Sequence, residues 1–381
     1  MAKITWSLKR QIDSYDATSS VMSFNYLQGR RNYLDSYSGG NLTVTLKNQT
    51  NIASYFTFNS VWILSDSNAV GTQYFYCQNV TFNDYPGNTG LSTITVSLVD
   101  ILGRNGRNVF SKVLTQQYTT DSLADLWRTS PYQIGDANPY YFGSSVAQAN
   151  TYSGSVLNYF NLIQATERGL VYFYDDQIGI IGRGDVSGAT TVFSFTRNTA
   201  SNTEIAYQTI DRDKAGLNFM NNVTVAANGL ASQTAVNSTS LTTYGNAQQT
   251  ITTLDYSTTQ ALNNAQWMSS SQADPEAENI SITFLDLGQT ETGLTNFLRS
   301  FYSNDVNFGA RTAKIWSLIY RVPGAASDTT IKVAIEGVAL KATPDKTVID
   351  VYFSPLTYYQ FFMLNSTTQG ILDTSRLGWV G

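Results

Sequence analysis

The chain has 381 residues, of which 42% are hydrophobic and 13% aromatic, and its formal net charge is −5. That apolar content excludes a disordered chain, and the net negative charge argues against a protein whose main role is to bind nucleic acid through a basic surface. Histidine is absent, which excludes Ser-His-Asp and Cys-His catalysis and zinc sites of the histidine type.

The cysteine content and the N-terminus bear on the compartment of the protein. Cys77 is the single cysteine, so the fold needs no internal disulfide, and we expect this residue to lie in the core. Residues 1–6 lack a charged segment followed by an apolar run, and no apolar run approaches 18 residues. We therefore expect no signal peptide, no transmembrane helix and synthesis in the cytoplasm.

Residues 1–114 predict a first β domain, a compact barrel or sandwich. Its clearest strand is 41–47, which follows a Ser-Gly-Gly turn. Apolar and polar residues alternate along this strand, as they do in several later short runs that turn residues separate. Two basic pairs lie in this domain: Arg30 with Arg31, and Arg104 with Arg107. They fit either exposed strand ends or contacts to carboxylates of a neighbouring subunit.

Residues 115–195 predict an α/β insertion that consists of a helix and a hairpin. Apolar residues recur at helical spacing from Ser155 to Arg168, and Gly169 stands where a C′ glycine ends a helix. The segment 170–183 then predicts two strands joined by a polar turn.

The remainder of the chain returns to strands with one polar interruption. Residues 196–235 and 281–381 predict a second β-barrel, with clear alternation at 331–335 and 349–353. Residues 236–280 predict a polar helical excursion. The fold class is therefore mainly β with α/β insertions: two β-barrel domains in tandem plus smaller α+β domains.

The segment 26–48 and four later segments resemble, in the same order, elements of the tail hub or minor tail proteins of bacteriophages. The later resemblance rests on a helix and hairpin, a short Tyr-Gly element, a Val-Glu-Gly strand and a C-terminal signature. The matching positions are Glu167, Gly169 and Arg183; Tyr244 and Gly245; Glu336 and Gly337; and Asp373, Arg376, Leu377 and Gly378.

This resemblance implies a structural virion protein and no enzyme. It implies two tail-tube-like β-barrels in one chain, so that a homotrimer adapts the six-fold tail tube to a three-fold tip or fibre and lines the DNA exit channel. It implies no cofactor and no metal. The expected partners are further copies of the chain, the tube ring, the distal tail protein and a tip or fibre protein. DNA is expected only in transit, and contact with the host surface only indirectly.

Three alternatives remain at the level of sequence. A hexameric distal tail ring protein is the nearest, and six copies rather than three would identify it. A receptor- or glycan-binding tail-tip protein would suit the abundant Tyr, Trp, Asn and Thr residues and predicts an exposed aromatic groove. A tail-associated peptidoglycan enzyme predicts converging carboxylates in a cleft, and the absence of histidine weighs against it.

Overall fold

The computed structural model describes most of the chain between residues 3 and 359. The described residues are 3–33, 35–49, 51–66, 72–87, 89–129, 145–174, 177–183, 186, 191–213, 219–274, 279–302 and 314–359. The C-terminal signature positions Asp373, Arg376, Leu377 and Gly378 therefore lie outside the described residues.

Strands dominate the described chain, which confirms the mainly β fold. The strands are β1 (Trp6–Arg10), β2 (Val21–Gly29), β3 (Asn41–Lys47), β4 (Val61–Asp66), β5 (Thr72–Asn83), β6 (Thr93–Val99), β7 (Val109–Leu114), β8 (Gln117–Tyr118), β9 (Val146–Ala147), β10 (Asn150–Ser155), β11 (Leu170–Tyr174), β12 (Gln177–Ile181), β13 (Ser194–Thr196), β14 (Glu204–Ala206), β15 (Thr209–Asp213), β16 (Asn222–Ala227), β17 (Gln233–Val236), β18 (Gln248–Thr253), β19 (Asn279–Leu285), β20 (Ile315–Tyr320), β21 (Thr329–Ala342) and β22 (Thr347–Pro355).

Helices are fewer and connect or cover the sheets. The α-helices are α1 (Ile101–Asn105), α2 (Thr119–Thr129), α3 (Val156–Glu167), α4 (Ser238–Tyr244), α5 (Thr258–Ser271) and α6 (Glu291–Tyr302), and short 3-10 helices occur at Thr18–Ser20, Ile52–Tyr55, Thr89–Leu91 and Leu356–Tyr358. None of these α-helices is long and apolar enough to span a membrane.

Thirteen of the described strands form one large sheet that curls into a half-barrel. Its main path runs β1-β4-β5-β6-β3-β2-β21-β20-β13-β14, and β22, β19 and β15 branch from β21. We call strands β1–β6 the first β unit, and strands β13–β15 with β19–β22 the second. Within this one sheet, β2 and β21 hydrogen-bond the two β units to each other. A single hydrophobic core continues under both units.

The alternation in the sequence decides which face of this sheet is buried. In β3 the side chains of Leu42, Val44 and Leu46 are buried while the residues between them are more exposed. Strands β6 and β22 alternate in the same way. Because successive side chains of a strand point to opposite faces, this period of two places one apolar face against the core. Cys77 is buried in this core, as expected.

The helix α3 begins and ends close to its predicted limits, but the role of Gly169 differs. The Ser155 hydroxyl caps the helix by accepting a hydrogen bond from the backbone N–H of Asn158 at 3.1 Å. The residue in the left-handed conformation at the other end is Arg168, with φ of 57°, so the prediction that Gly169 is the C′ glycine was wrong. Gly169 is required instead by close packing, because a Cβ there would collide with the backbone oxygen of Ile181.

Part of the region that the sequence assigned to the second barrel lies in a small sheet of its own. Strand β16 pairs with β17 and with β18 and so belongs to a three-stranded sheet of its own. Its buried residues Val223 and Val225 pack in a second core with Ala261 and Ala265 of α5. The amphipathic helix thus covers a short sheet, because β16 needs a cover for its apolar face.

Candidate functional site

The two β units meet where strand β2 ends against the middle of strand β21. Gly29 lies opposite Gly337 in the antiparallel register, and the backbone N–H of Arg30 donates to the carbonyl of Glu336 at 3.1 Å. A Cβ on Gly337 would come within 2.5 Å of the backbone oxygen of Arg30, and Gly29 has φ of +86°. Both positions therefore need glycine for the two backbones to approach each other.

An ion pair closes this junction inside the protein. The register of β21 against β22 shifts at Glu336, which forms a bulge and directs its side chain away from the regular ladder. The Glu336 carboxylate accepts from Nε of Arg30 at 2.7 Å, and both side chains are almost completely buried. The hydroxyl groups of Tyr37 (3.4 Å) and Tyr359 also donate to this carboxylate. We call Arg30, Tyr33, Tyr37, Glu336 and Tyr359 the junction cluster.

The charges of the junction cluster stabilise each other against the cost of burial. Burial disfavours the charged form of Arg30, but the nearby Glu336 outweighs that effect and raises the pKa of the guanidinium well above its ordinary value. Burial, reinforced by the negative charge of Glu336, raises the pKa of the Tyr359 hydroxyl. The cluster is therefore an ion pair with neutral tyrosine donors around it at neutral pH.

Aromatic rings and further cations surround the ion pair. The guanidinium of Arg30 lies 4.9 Å from the ring centre of Tyr33 and 4.7 Å from that of Tyr37, distances at which a cation attracts the ring face. Burial lowers the pKa of Lys314 to about 7, although Glu336 favours its charged form. Burial also lowers the pKa of Arg168, and the positive charge of Arg30 adds to that effect.

The helix–hairpin segment that the sequence singled out adjoins the same region. The buried Glu167 carboxylate accepts from the Thr119 hydroxyl at 2.8 Å and from the backbone N–H of Ser145 at 3.0 Å. The guanidinium of Arg183 lies 4.5 Å from the ring of Trp267 in α5. Burial lowers the pKa of Arg183, although Glu167 and Tyr33 favour its charged form. These residues tie the insertion to its neighbours and to the junction.

The structure thus brings together some of the family-signature positions and separates others. Glu336 and Gly337 form the junction itself, and Glu167 and Arg183 lie beside it. Tyr244 and Gly245 lie apart: Tyr244 is half exposed at the end of α4. Gly245 has φ of 84°, and its carbonyl accepts from the Asn221 amide at 2.7 Å. This Tyr-Gly element is therefore a helix end and not part of the junction.

The four arginines that the sequence offered as subunit contacts have different environments. Arg30 is only 4% exposed and is paired within its own chain, so the interpretation of Arg30 as an exposed strand end or an intersubunit contact was wrong. Arg104 lies with its guanidinium 4.0 Å from the ring centre of Tyr76. Arg31 and Arg107 are exposed, and a role in subunit contacts stays a prediction for them.

Sequence reasoning missed Tyr33, Tyr37, Lys314, Tyr359 and the importance of Arg168. One signal was present in the apolar run 333–340, which contains a single charged residue, Glu336. A carboxylate in a fully buried strand needs a partner, so Glu336 should have prompted a search for a buried cation. The local sequence of Arg30 does not identify it as that cation. The adjacent residue Arg31 has the same side chain but is exposed, so the sequence alone cannot distinguish the two.

The junction holds chain segments together and presents no reacting group to solvent. Every member of the junction cluster is at most 4% exposed. Within the described ranges, no three His, Cys, Asp or Glu side chains are grouped so that they could hold a metal ion.

The fold has clear relatives among solved structures, although the sequence does not. No protein-family model matches the chain, and no curated protein is significantly similar to it in sequence. The tail protein from Neisseria meningitidis MC58 superimposes with a TM-score of 0.61 at 12% identity over 92% of this chain and 96% of that one. The 43 kDa tail protein of prophage MuSo2 from Shewanella oneidensis gives 0.55 at 11% identity over 94% and 98%.

A third similar structure belongs to a secretion system. It is the Escherichia coli c3393 protein, described as a type VI secretion component with structural similarity to the T4 bacteriophage tail proteins gp27 and gp5. Its TM-score is 0.51 at 10% identity, over 91% of this chain and 76% of that one. At such identities the similarity establishes architecture alone, and it extends over nearly the whole length of this chain. The chain has the fold of bacteriophage tail proteins.

Proposed function

We propose that this chain is a structural protein of a phage tail and serves as the hub at the tail tip. In this role three copies adapt the six-fold tail tube to a three-fold tip or fibre and surround the channel through which DNA leaves. The fold shared with phage tail proteins along nearly the full chain supports this proposal.

One observation carries the proposal: each chain contains two β units joined as a single sheet through β2 and β21. A chain that supplies two β units can occupy two positions of a six-fold ring, so three chains complete the ring. The buried Arg30–Glu336 pair and the close glycine contact hold the units in a fixed relation. A rigid joint of this kind is what an adaptor between two symmetries requires.

The surface offers apolar residues to neighbouring proteins. Val109 and Val113, four residues apart on β7 and therefore on one face, are each 74% exposed. Ile12 and Phe58 are similarly exposed. Exposed apolar side chains of this size suit permanent contacts with tube, distal tail or tip proteins. The net charge of −5 suits a channel wall that lets the DNA backbone pass, since tight binding of phosphates needs basic residues.

Electron microscopy of intact particles tests the location. An epitope is inserted in the exposed turn between β20 and β21, at Pro323–Gly324, where residues 321–327 are all exposed. Gold-labelled antibody is expected at the end of the tail distal to the capsid, and particles without the insertion serve as the control. Label along the whole tube, or on fibres alone, would contradict the proposal, and label on fibres would favour the receptor-binding alternative.

A further inference from the structure

A groove runs along one side of α3, between this helix and the small sheet. Its larger part is a cavity of about 740 Å³, with residues of α3 on one wall and residues 249–252 of β18 on the other. A second cavity of about 480 Å³ continues it past residues 150–153 of β10. The two cavities share Tyr152, Leu162 and Thr252, so they form one elongated groove.

The wall formed by β18 is the edge of a sheet. The small sheet has the order β17-β16-β18, so β18 pairs with β16 on one side, and its other edge makes no backbone ladder among the described residues. Four consecutive residues of β18 line the groove. Because successive side chains point to opposite faces, a run of four can border one groove only along the strand's edge. The groove therefore exposes backbone donors and acceptors that an added strand would satisfy.

At the head of the groove lies a buried cation whose hydrogen-bonding capacity the described residues do not fill. The side chain of Arg168 lines the larger cavity, and the residue is only 6% exposed. Its Nε and Nη2 atoms are buried and make no hydrogen bond within the part of the chain that the structure describes. A buried guanidinium normally has its donors satisfied, so this one has room for an acceptor that the described residues do not supply.

The surrounding charges favour an anionic acceptor. Arg30 also lines the cavity, and its own charge is already balanced by Glu336. The carboxylate of Asp35, at the rim, accepts a backbone hydrogen bond from Asn32 at 3.2 Å. Behind the wall, the charge of Asp255 favours the charged form of Arg168 and that of Arg183 opposes it. Neither of these two residues lines the cavity, so Arg168 supplies the positive charge that faces it. A carboxylate matches the fork of an arginine and would complete its hydrogen bonds.

We propose that this groove docks an extended peptide segment of a partner protein, which adds to the free edge of β18 and places an Asp or Glu side chain against Arg168. The elongated shape and the edge strand favour a peptide over a free anion, because a free anion would use only the head of the groove. The proposal depends on the geometry of the groove and not on the tail function.

Binding of two blocked pentapeptides to the full-length chain tests the proposal. The probes are acetyl-Thr-Val-Glu-Val-Thr-amide and the same peptide with Gln in place of Glu, and sodium acetate is the free-carboxylate probe. Titration calorimetry is expected to show binding of the Glu peptide at millimolar concentration or below. Binding of the Gln peptide is expected to be weaker by about 10-fold or more, since a charged hydrogen bond is lost.

Two variants distinguish recognition from folding. Arg168→Gln is expected to weaken binding of the Glu peptide by about 10-fold or more, whereas Arg128→Gln, at an exposed arginine of α2, is expected to leave it unchanged. Burial outweighs the favourable charges near Arg168 and lowers its pKa. Because Arg168→Gln removes this buried charge, its thermal unfolding is expected at the wild-type temperature or above. Amide hydrogen exchange is expected to slow in residues 248–253 when the Glu peptide is bound.

Each of the following results would overturn the proposal. Equal binding of the Glu and Gln peptides, or no binding of either, would show that no carboxylate of the peptide contacts Arg168. Binding of acetate as tight as that of the Glu peptide would identify a small-anion site. Unchanged hydrogen exchange in β18 would show that the peptide does not pair with this strand. Unfolding of Arg168→Gln at a lower temperature than the wild type would identify Arg168 as a structural residue. A changed oligomeric state of Arg168→Gln would identify the occupant as a second copy of the chain.

Discussion

Substitution of Glu336 by Gln tests whether the buried ion pair holds the two β units together. The change keeps the shape of the side chain and removes the negative charge that balances Arg30. In the wild type, Nε of Arg30 lies 2.7 Å from the Glu336 carboxylate, in a buried site. Tyr37 and Tyr359 also lose a charged acceptor. Removal of one member of a buried pair costs about 3–5 kcal/mol. With an unfolding entropy of about 2.1 cal/mol/K per residue, this loss lowers Tm of a 381-residue chain by about 4–6 °C.

Thermal unfolding followed by circular dichroism, with urea titration in parallel, measures this effect. Asp345→Asn is the matched control, because it removes one negative charge from the exposed turn between β21 and β22. Its Tm is expected to remain within about 1 °C of the wild type, since surface changes usually alter stability by no more than about 0.5 kcal/mol. A second comparison uses Arg30→Met with Glu336→Leu, which together are expected to cost less than Glu336→Gln alone because no charge is left unpaired.

A small effect would refute this reasoning. If Glu336→Gln unfolds like Asp345→Asn, the ion pair does not contribute to the joint. The single variants Arg30→Met and Glu336→Leu complete the comparison. If the double variant loses as much stability as these two lose in sum, Arg30 and Glu336 are not coupled in the folded chain.

Three further predictions concern the same joint and the surface. Burial lowers the pKa of Lys314 to about 7. Between pH 7 and 10 the unfolded chain therefore binds more protons than the folded chain, and the free energy of unfolding rises with pH. Lys314→Met is expected to flatten this rise in urea titrations. Gly337→Ala is expected to cost about 1–3 kcal/mol or more by the same assay, because its Cβ would lie 2.5 Å from the backbone oxygen of Arg30. Arg107→Glu is expected to raise the dissociation constant of the assembled oligomer by about 10-fold in sedimentation velocity, with Tm of the separated chain unchanged.

Each of these predictions has a control on the same chain. Lys346→Met removes an exposed amine and should keep the wild-type pH dependence; persistence of the rise in Lys314→Met would contradict the assignment to that amine. Gly106→Ala, with φ of −59° and a nearest atom 3.3 Å from the new Cβ, should cost less than Gly337→Ala. Arg128→Glu changes an exposed arginine of α2 and should leave association unaltered; equal weakening by both arginine variants would refute a specific contact at Arg107.

Local patterns predicted the individual elements well. Strand β3 and strand β22 follow from strict alternation, and α3 follows from the spacing of Val156, Tyr159, Phe160 and Ile163, all of which are buried. Helix α6 was missed, because residues 291–302 follow β19 after a short turn and were interpreted as part of a continuous β region. Strand β16 lies in the region 196–235 that was predicted to be β, but its separate sheet was not predicted, since periodicity determines a buried face and not the partner strand.

The candidate site depends on contacts that sequence spacing does not encode. Arg30 and Glu336 are 306 positions apart, and only the pairing of β2 with β21 brings them together. A resemblance to tail hub proteins directed attention to Glu336 and Gly337, but it gave no physical reason for them. The structure supplies that reason: the carboxylate neutralises a buried arginine, and the missing Cβ lets two backbones meet.

The copy number of the chain in the intact particle tests the central claim most directly. Averaged cryo-electron microscopy of the tail tip, with the density at the tip fitted by this fold, measures it. The proposed hub predicts three chains that present six β units around the axis, and six chains in a ring would contradict it and favour a distal tail ring protein.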